Sequence, residues 1–142
     1  MTVVDPECVF PARMSGLPQA LDFVAACCDQ HAVSRDDTLR LALIVEELFT
    51  NTVAHGHGGD CDALVRIALV VDAVQVALSY ADAAPPFDPL SGVEQATAEM
   101  HADLDARPIG HVGIPLVVQM AASVHYRHAD GLNRLQVILR RR

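Results

Sequence analysis

One long helical pattern constrains the fold of this chain more than any other feature. From Ser34 to about His55, apolar side chains recur at intervals of three and four residues, the spacing of one buried helix face. That stripe consists of Leu41, Ile44, Val45, Leu48 and Thr52. Gly56 follows it and is a typical helix stop. A helix with one apolar face must lie against a second layer of structure.

Two polar residues stand beside this stripe. Glu47 and Asn51 are four residues apart, so a helix places them on one face at the edge of the core. A carboxylate there can accept a proton or orient water, and an amide oxygen suits Mg²⁺, which usually accompanies phosphates. The pair favours nucleotide chemistry, although a solvated Glu and Asn on an exposed face is the simpler alternative.

A proline-rich segment follows an apolar, alternating strand pattern. The segment Tyr80 to Pro89 reads YADAAPPFDP and places Asp82 at the end of the strand. A carboxylate there can accept a hydrogen bond from an exocyclic amine, while three prolines stiffen the loop that follows. The alternative is an ordinary strand exit in which Asp82 and Asp88 cap turns.

Two glycines precede a later helical pattern. The segment Arg107 to Leu116 reads RPIGHVGIPL and contains Gly110 and Gly113, after which apolar residues recur with helical spacing. Bare amides at the start of a helix bind anions through hydrogen bonds and the helix dipole. A simple turn is the alternative, because Gly-x-x-Gly is common.

The remaining patterns predict one α+β domain over residues 1–142, a two-layer α/β sandwich with a mainly antiparallel sheet and helices on one face. Asp130 and Gly131 predict the tight turn of a closing hairpin, and residues 90–107 read as a lid with a short helix. The other predicted elements are a strand near Val3 to Phe10, a helix from Leu17 to His31, strands over Ala63–Val71 and Val74–Tyr80, a helix from Gly113 to Ala122, and hairpin strands between Val124 and Leu139.

Composition excludes several classes of function. Eighteen acidic residues against ten basic ones give a net charge of −8, which argues against nucleic acid as a direct partner. The four cysteines form no Cys-x-x-Cys pair and read as reduced thiols, and a zinc site from His55, His57 and Cys61 is disfavoured because no second ligand cluster exists. No apolar run is long enough to cross a membrane, so we expect a cytoplasmic protein.

The three segments, in this order, resemble the GHKL ATP-binding superfamily and in particular its small bacterial anti-sigma serine kinases. Glu47-x-x-x-Asn51 is similar to the family's first signature, YADAAPPFDP to its Asp-x-Gly-x-Pro-Phe-Asp-Pro adenine box, and RPIGHVGIPL to its lid and second glycine box. The resemblance covers roughly residues 10 to 140 and implies the Bergerat-type ATP-binding fold, with ATP and Mg²⁺ as cofactors.

The resemblance also implies roles for individual residues. Glu47 would be the general base, Asn51 the Mg²⁺ ligand, and Asp82 the acceptor for the adenine amino group. The other residues carried over as nucleotide-binding are Ala84 and Phe87 in the adenine box and Arg107, Gly110 and Gly113 near the phosphates. Two positions depart from the family pattern, since Ala84 and His111 stand where glycines are usual.

In function, the resemblance implies an anti-sigma factor that is also a serine kinase. Such a protein sequesters a sigma factor, phosphorylates a serine of a STAS-type anti-anti-sigma partner, and can form a homodimer. Two alternatives stay open at this point. One is a non-catalytic module that only sequesters a partner, with or without bound ATP. The other is the ATPase module of a sensor histidine kinase, which is disfavoured because the chain has no room for a phosphoacceptor helix.

Overall fold

Six antiparallel strands form one sheet in the computed structural model, which describes residues 3–4, 7–88 and 113–142. Three α-helices accompany them in this part of the chain. The strands are β1 Val3–Val4, β2 Cys8–Pro11, β3 Leu64–Val71, β4 Gln75–Asp82, β5 Ser123–Ala129 and β6 Leu132–Arg140, and the helices are α1 Leu17–Gln30, α2 Arg35–Asn51 and α3 Gly113–Met120.

The sheet brings together strands that are far apart in sequence. The strand order is β1-β3-β4-β6-β5, and β2 also pairs with β3. The strands β4 and β6 pair over their whole length and place Asp82 directly opposite Asn133. The start of the predicted adenine box therefore adjoins the closing hairpin.

The core lies between one face of this sheet and the helices. Alternate residues of β3, from Val65 to Val71, are buried, and the intervening residues of that strand are not. The predicted stripe of α2 is buried throughout, and Phe49 joins it as the largest fully buried side chain. The predicted two-layer α+β sandwich, with a mainly antiparallel sheet, is therefore confirmed.

Local signals account for most element boundaries. The Ser34 hydroxyl accepts a hydrogen bond from the Asp37 amide at 3.1 Å, which caps α2 as its sequence predicts. Asp130 and Gly131 both have positive φ, at 56° and 74°, as the predicted hairpin turn requires. The long helix differs in one detail, because α2 ends at Asn51 and the chain continues to Gly56 as a π-helical turn. The predicted lid at residues 90–107 lies outside the described residues.

A buried carboxylate ties the start of α2 to the end of the chain. Asp37 is 1% exposed, and its carboxylate accepts hydrogen bonds from the Arg40 guanidinium and, at 2.9 Å, from the Arg142 amide. Arg40 also donates to the Arg140 carbonyl at 2.9 Å. Burial alone would raise the pKa of Asp37, but its hydrogen bonds with Arg40, Arg142 and Ser34 outweigh burial and hold that pKa below its usual value.

We expect Asp37→Asn to lower the free energy of unfolding by about 2–3 kcal/mol, because Arg40 would lose its charged partner. Urea unfolding at pH 7 measures this, with the exposed neighbour variant Asp36→Asn as control. A lowered folded-state pKa stabilises the fold above the unfolded pKa. The contribution of Asp37 should therefore disappear as the pH falls below about 4, and Asp37→Asn should lack that step. A difference below about 0.5 kcal/mol at pH 7 would contradict this role.

Candidate nucleotide site

The C-terminal half of α2 carries the predicted acid–base and cation-binding residues. Glu47 and Asn51 are both half-buried, one turn apart. Burial, reinforced by the negative charge of Glu46, raises the pKa of Glu47 above its usual value. A carboxylate whose pKa is raised towards neutrality is a better proton acceptor than an ordinary exposed glutamate.

Asn51 has an amide with unused bonding capacity. Its Nδ2 atom is buried and has no hydrogen-bond partner among residues 3–4, 7–88 and 113–142. Buried amide groups normally have partners, so an unpaired one needs an explanation. An amide that the described fold leaves unpaired fits a residue whose side chain is held for a ligand, and its Oδ1 atom is the type of oxygen that Mg²⁺ accepts.

Asp82 is fastened to the end of α2. Its Oδ2 atom lies 2.8 Å from Thr52 Oγ1, which also lies 2.6 Å from the Tyr80 hydroxyl and 3.0 Å from the Leu48 carbonyl. Thr52 has a single hydroxyl proton, which it can donate to Asp82. The Tyr80 hydroxyl can then donate either to Thr52 or to the Leu48 carbonyl, which lies 3.1 Å from the Tyr80 oxygen. Burial raises the pKa of Tyr80, which keeps this phenol protonated as a donor.

Asn133 holds the other side of the Asp82 carboxylate. Its Nδ2 donates to Asp82 Oδ1 at 2.9 Å and to the carbonyls of Ala84 and Pro85 at 3.0 and 3.2 Å. Its Oδ1 accepts from the Phe87 amide at 3.2 Å and from the Tyr126 hydroxyl at 2.7 Å. One buried amide on β6 therefore fixes both the carboxylate and the loop beyond it.

Sequence reasoning missed Asn133 because no local motif marks it. Its partners Asp82 and Ala84 lie about fifty residues earlier in the chain, and only the β4–β6 register brings them opposite each other. The one available signal is that Asn133 is polar at an inward position of an alternating strand pattern. Such a residue requires a buried partner.

The Asp82 carboxylate retains capacity for another donor. A carboxylate offers about four acceptor directions. Three donors from described residues reach it, namely Thr52, Asn133 and, at 3.1 Å, the Ala84 amide. These hydrogen bonds orient the group and leave it able to accept one more hydrogen bond, as recognition of an exocyclic amine requires.

The π-helical turn that follows α2 lies close against the adenine-box loop. A Cβ atom added to Gly56 would lie 2.9 Å from the Cβ of Ala84, closer than carbon atoms pack. Ala84 is itself buried, at 5% exposure. The methyl group at the position where the family usually has glycine is thus accommodated by a glycine on the facing turn.

The remaining predicted site residues are placed unevenly. The side chain of Phe87 is 67% exposed, although its backbone amide contacts Asn133. Gly113 is the first residue of α3, as its sequence predicts. Arg107 and Gly110, and also His111, lie outside the described residues, so their predicted phosphate-binding roles stay predictions.

Other potential sites give less support to a function. No cluster of metal-ligating side chains occurs within the described ranges, which include His55, His57 and Cys61. No described helix is long and apolar enough to cross a membrane. A cavity of about 420 Å³ is lined by residues of the sheet such as Arg66, Ser79 and Gln136 and does not include Glu47, Asn51 or Asp82. We assign the candidate nucleotide site from side-chain chemistry, since cavity size alone carries no chemistry.

A two-layer sandwich with a helical Glu-x-x-x-Asn beside a strand-end aspartate defines an ATPase domain of the GHKL class. A family model described as histidine kinase-like ATPase domain matches residues 10–139, and the chain belongs to that family. This match confirms the resemblance to the GHKL superfamily and makes nucleotide binding the expected property of the domain. No curated protein sequence matches the chain significantly.

A solved structure shares the fold. It is a chain of the SiaB–SiaC complex from Pseudomonas aeruginosa, with a TM-score of 0.62 and 12% sequence identity. The match covers 96% of this chain and 90% of that chain. At this level of identity the similarity shows a common fold over nearly the whole length of both chains.

We expect Gly56→Ala to displace the Ala84 loop, because the new methyl group would overlap Ala84. Overpacking of this kind costs about 1–3 kcal/mol. The double variant Gly56→Ala/Ala84→Gly should recover most of the loss, since it moves the methyl group to the other side of the same contact. Thermal unfolding of the two single variants and the double variant measures the coupling. Additive effects would show that the two residues do not share this contact.

We expect Glu47→Gln to raise the thermal midpoint at pH 7.5. A raised folded-state pKa means that the fold disfavours the ionised form, so the ionised carboxylate destabilises the fold above that pKa. As the pH falls through the raised pKa, the wild-type Glu47 becomes neutral and the difference should disappear. Asp36→Asn should show no such gain, because an exposed acid in the first turn of α2 interacts favourably with the helix dipole. A lower midpoint for Glu47→Gln would contradict the burial argument.

Proposed function

We propose that this chain is an ATP-dependent protein serine kinase that also acts as an anti-sigma factor. The observation that carries the proposal is the 2.8 Å hydrogen bond between Thr52 and Asp82. It fixes the candidate adenine acceptor to the end of the helix that bears Glu47 and Asn51. Base recognition, cation binding and proton transfer would then share one rigid frame, which phosphoryl transfer requires because its catalysis depends mainly on positioning.

In this proposal each group has one task. Asp82 would accept a hydrogen bond from the adenine amino group, and the Asn51 side-chain oxygen would hold Mg²⁺, which would neutralise phosphate charge. Glu47 accepts the proton of the substrate serine as its oxygen attacks the γ-phosphorus. The bond from that phosphorus to the bridging oxygen breaks, so ATP and protein serine become ADP and phosphoserine. Gly110, Gly113 and Arg107 would complete the phosphate contacts.

The proposed substrate is a STAS-type anti-anti-sigma protein. Phosphorylation would release that partner, and the freed kinase would then sequester its sigma factor in the cytoplasm. Two findings support a partner-switching role: the chain has the family's ATPase domain over residues 10–139, and a solved structure with the same fold comes from a two-protein complex. A homodimer is compatible with this role.

A second candidate function is a non-catalytic module that sequesters its partner. The presence of Ala84 beside Gly56 favours it, because the Ala84 methyl group occupies space in the adenine-box loop where the family usually has glycine. The raised pKa of Glu47 favours the kinase, since a purely sequestering module gains nothing from a destabilised carboxylate.

The decisive experiment is a phosphorylation assay with labelled ATP and a candidate STAS-type protein from the same organism. Glu47→Gln should lower the rate about 10²–10⁴-fold while nucleotide affinity changes little. Glu46→Gln is the matched control, since Glu46 is the adjacent, exposed carboxylate on the same helix. Phosphoserine formation that depends on Glu47 and not on Glu46 supports the kinase. A stable complex without phosphoserine would exclude the kinase and support the sequestering module.

A further inference from the structure

A row of arginines crosses the sheet on the face turned away from the helices. The strand register aligns Arg66 with Ala81, Ala81 with Arg134, and Arg134 with Arg127 across β3, β4, β6 and β5. The neighbouring residues on these strands, such as Val65, Tyr80 and Leu135, are buried in the core. Because side chains alternate between faces along a strand, the three arginines lie on the opposite, outer face.

This arrangement is unfavourable for the isolated chain. Arg127 and Arg134 are directly opposite each other on β5 and β6, and like charges in that position destabilise a sheet. Arg66 lies two strands from Arg134, roughly 10 Å away at the strand spacing of a sheet. Three of the ten basic residues of an acidic chain thus concentrate on one surface.

Nearby carboxylates neutralise this row only in part. Glu7 pairs with Arg66 at 3.1 Å, with both side chains substantially exposed. Asp130 lies 3.8 Å from Arg134, a long contact from a side chain that is 86% exposed. Arg127 has no ion pair among the described residues, and the buried Nε atom of Arg134 has no hydrogen-bond partner among them. Exposed ion pairs of this kind contribute little, so donor capacity remains.

The surface between the arginines has room for an extended chain. Ala81 separates Arg66 from Arg134, and the next row contains Ala68, Ser79 and Gln136. The small side chains of Ala81 and Ser79 line an open cavity of about 420 Å³, which all three arginines also line. Guanidinium groups along a shallow groove match successive carboxylates, which they bind through paired hydrogen bonds.

We propose that this arginine row is a docking surface for an acidic segment of a protein partner. Charge complementarity determines the occupant, because among the described residues Arg127 has no ion pair, and Arg66 and Arg134 have only exposed contacts with Glu7 and Asp130. Two copies of this chain packed face to face would bring two arginine rows together. The surface is separate from the candidate nucleotide site, so the proposal holds whether or not the chain transfers phosphate.

Fluorescence anisotropy with a labelled decaglutamate peptide tests the docking surface on the full chain. The net charge of −8 repels this probe, so binding has to come from a local basic surface. We expect Arg127→Glu and Arg134→Glu each to weaken binding about tenfold, the loss expected for a charged hydrogen-bonding partner. Arg35→Glu is the matched control, because Arg35 is exposed at the start of α2 and the change in charge is the same. It should change affinity less than about twofold.

Two further measurements keep the test decisive. Arg127→Gln should unfold at the same temperature as the wild type or higher, because it removes a like-charge pair, and it replaces Arg127→Glu if that variant does not fold. Equal weakening by all three glutamate variants, or no binding of decaglutamate at low salt, would overturn the proposal. Sedimentation velocity covers the remaining case. A wild-type dimer that Arg134→Glu converts to a monomer would identify a self-association surface and would also overturn it.

Discussion

The hydrogen bond between Thr52 and Asp82 is the contact on which the rest of the candidate site depends. It connects the π-helical turn that follows α2 to the end of the central strand β4 at 2.8 Å. Asn133 secures the same carboxylate from the neighbouring strand at 2.9 Å. The aspartate is thus held between helix and sheet by side chains that are themselves buried. Preorganisation of this kind lets a site recognise a ligand without first ordering its own groups.

The two faces of the sheet carry different side chains, which alternate along each strand. Asp82 and Asn133 pair on the inner face, and the adjacent pair, Ala81 and Arg134, lies on the outer face. Because successive side chains of a strand point to opposite faces, a one-residue change of register would exchange these surfaces. The β4–β6 register therefore determines both the candidate nucleotide site and the arginine row, and the apolar residues of the two strands maintain that register by filling the core.

Much of the fold could be predicted from local sequence patterns. The stripe of α2, the Ser34 cap and the Asp130–Gly131 turn each depend on residues close together in the chain, and their structures match. Asn133 and the contact between Gly56 and Ala84 could not be predicted, because they depend on how distant elements pack. Family resemblance selected Glu47, Asn51 and Asp82, and their roles remain proposals that the geometry supports.

The measurement that tests the central claim most directly is a calorimetric titration of Mg²⁺-ATP into the purified chain and its Asp82→Asn variant. The account predicts saturable binding that the variant weakens about tenfold or more, because the amide would present a donor to the adenine amino group. Asp36→Asn, which changes an exposed carboxylate at the other end of α2, should bind as the wild type does. No saturable binding at millimolar ATP, or equal affinity for Asp82→Asn and wild type, would contradict the account.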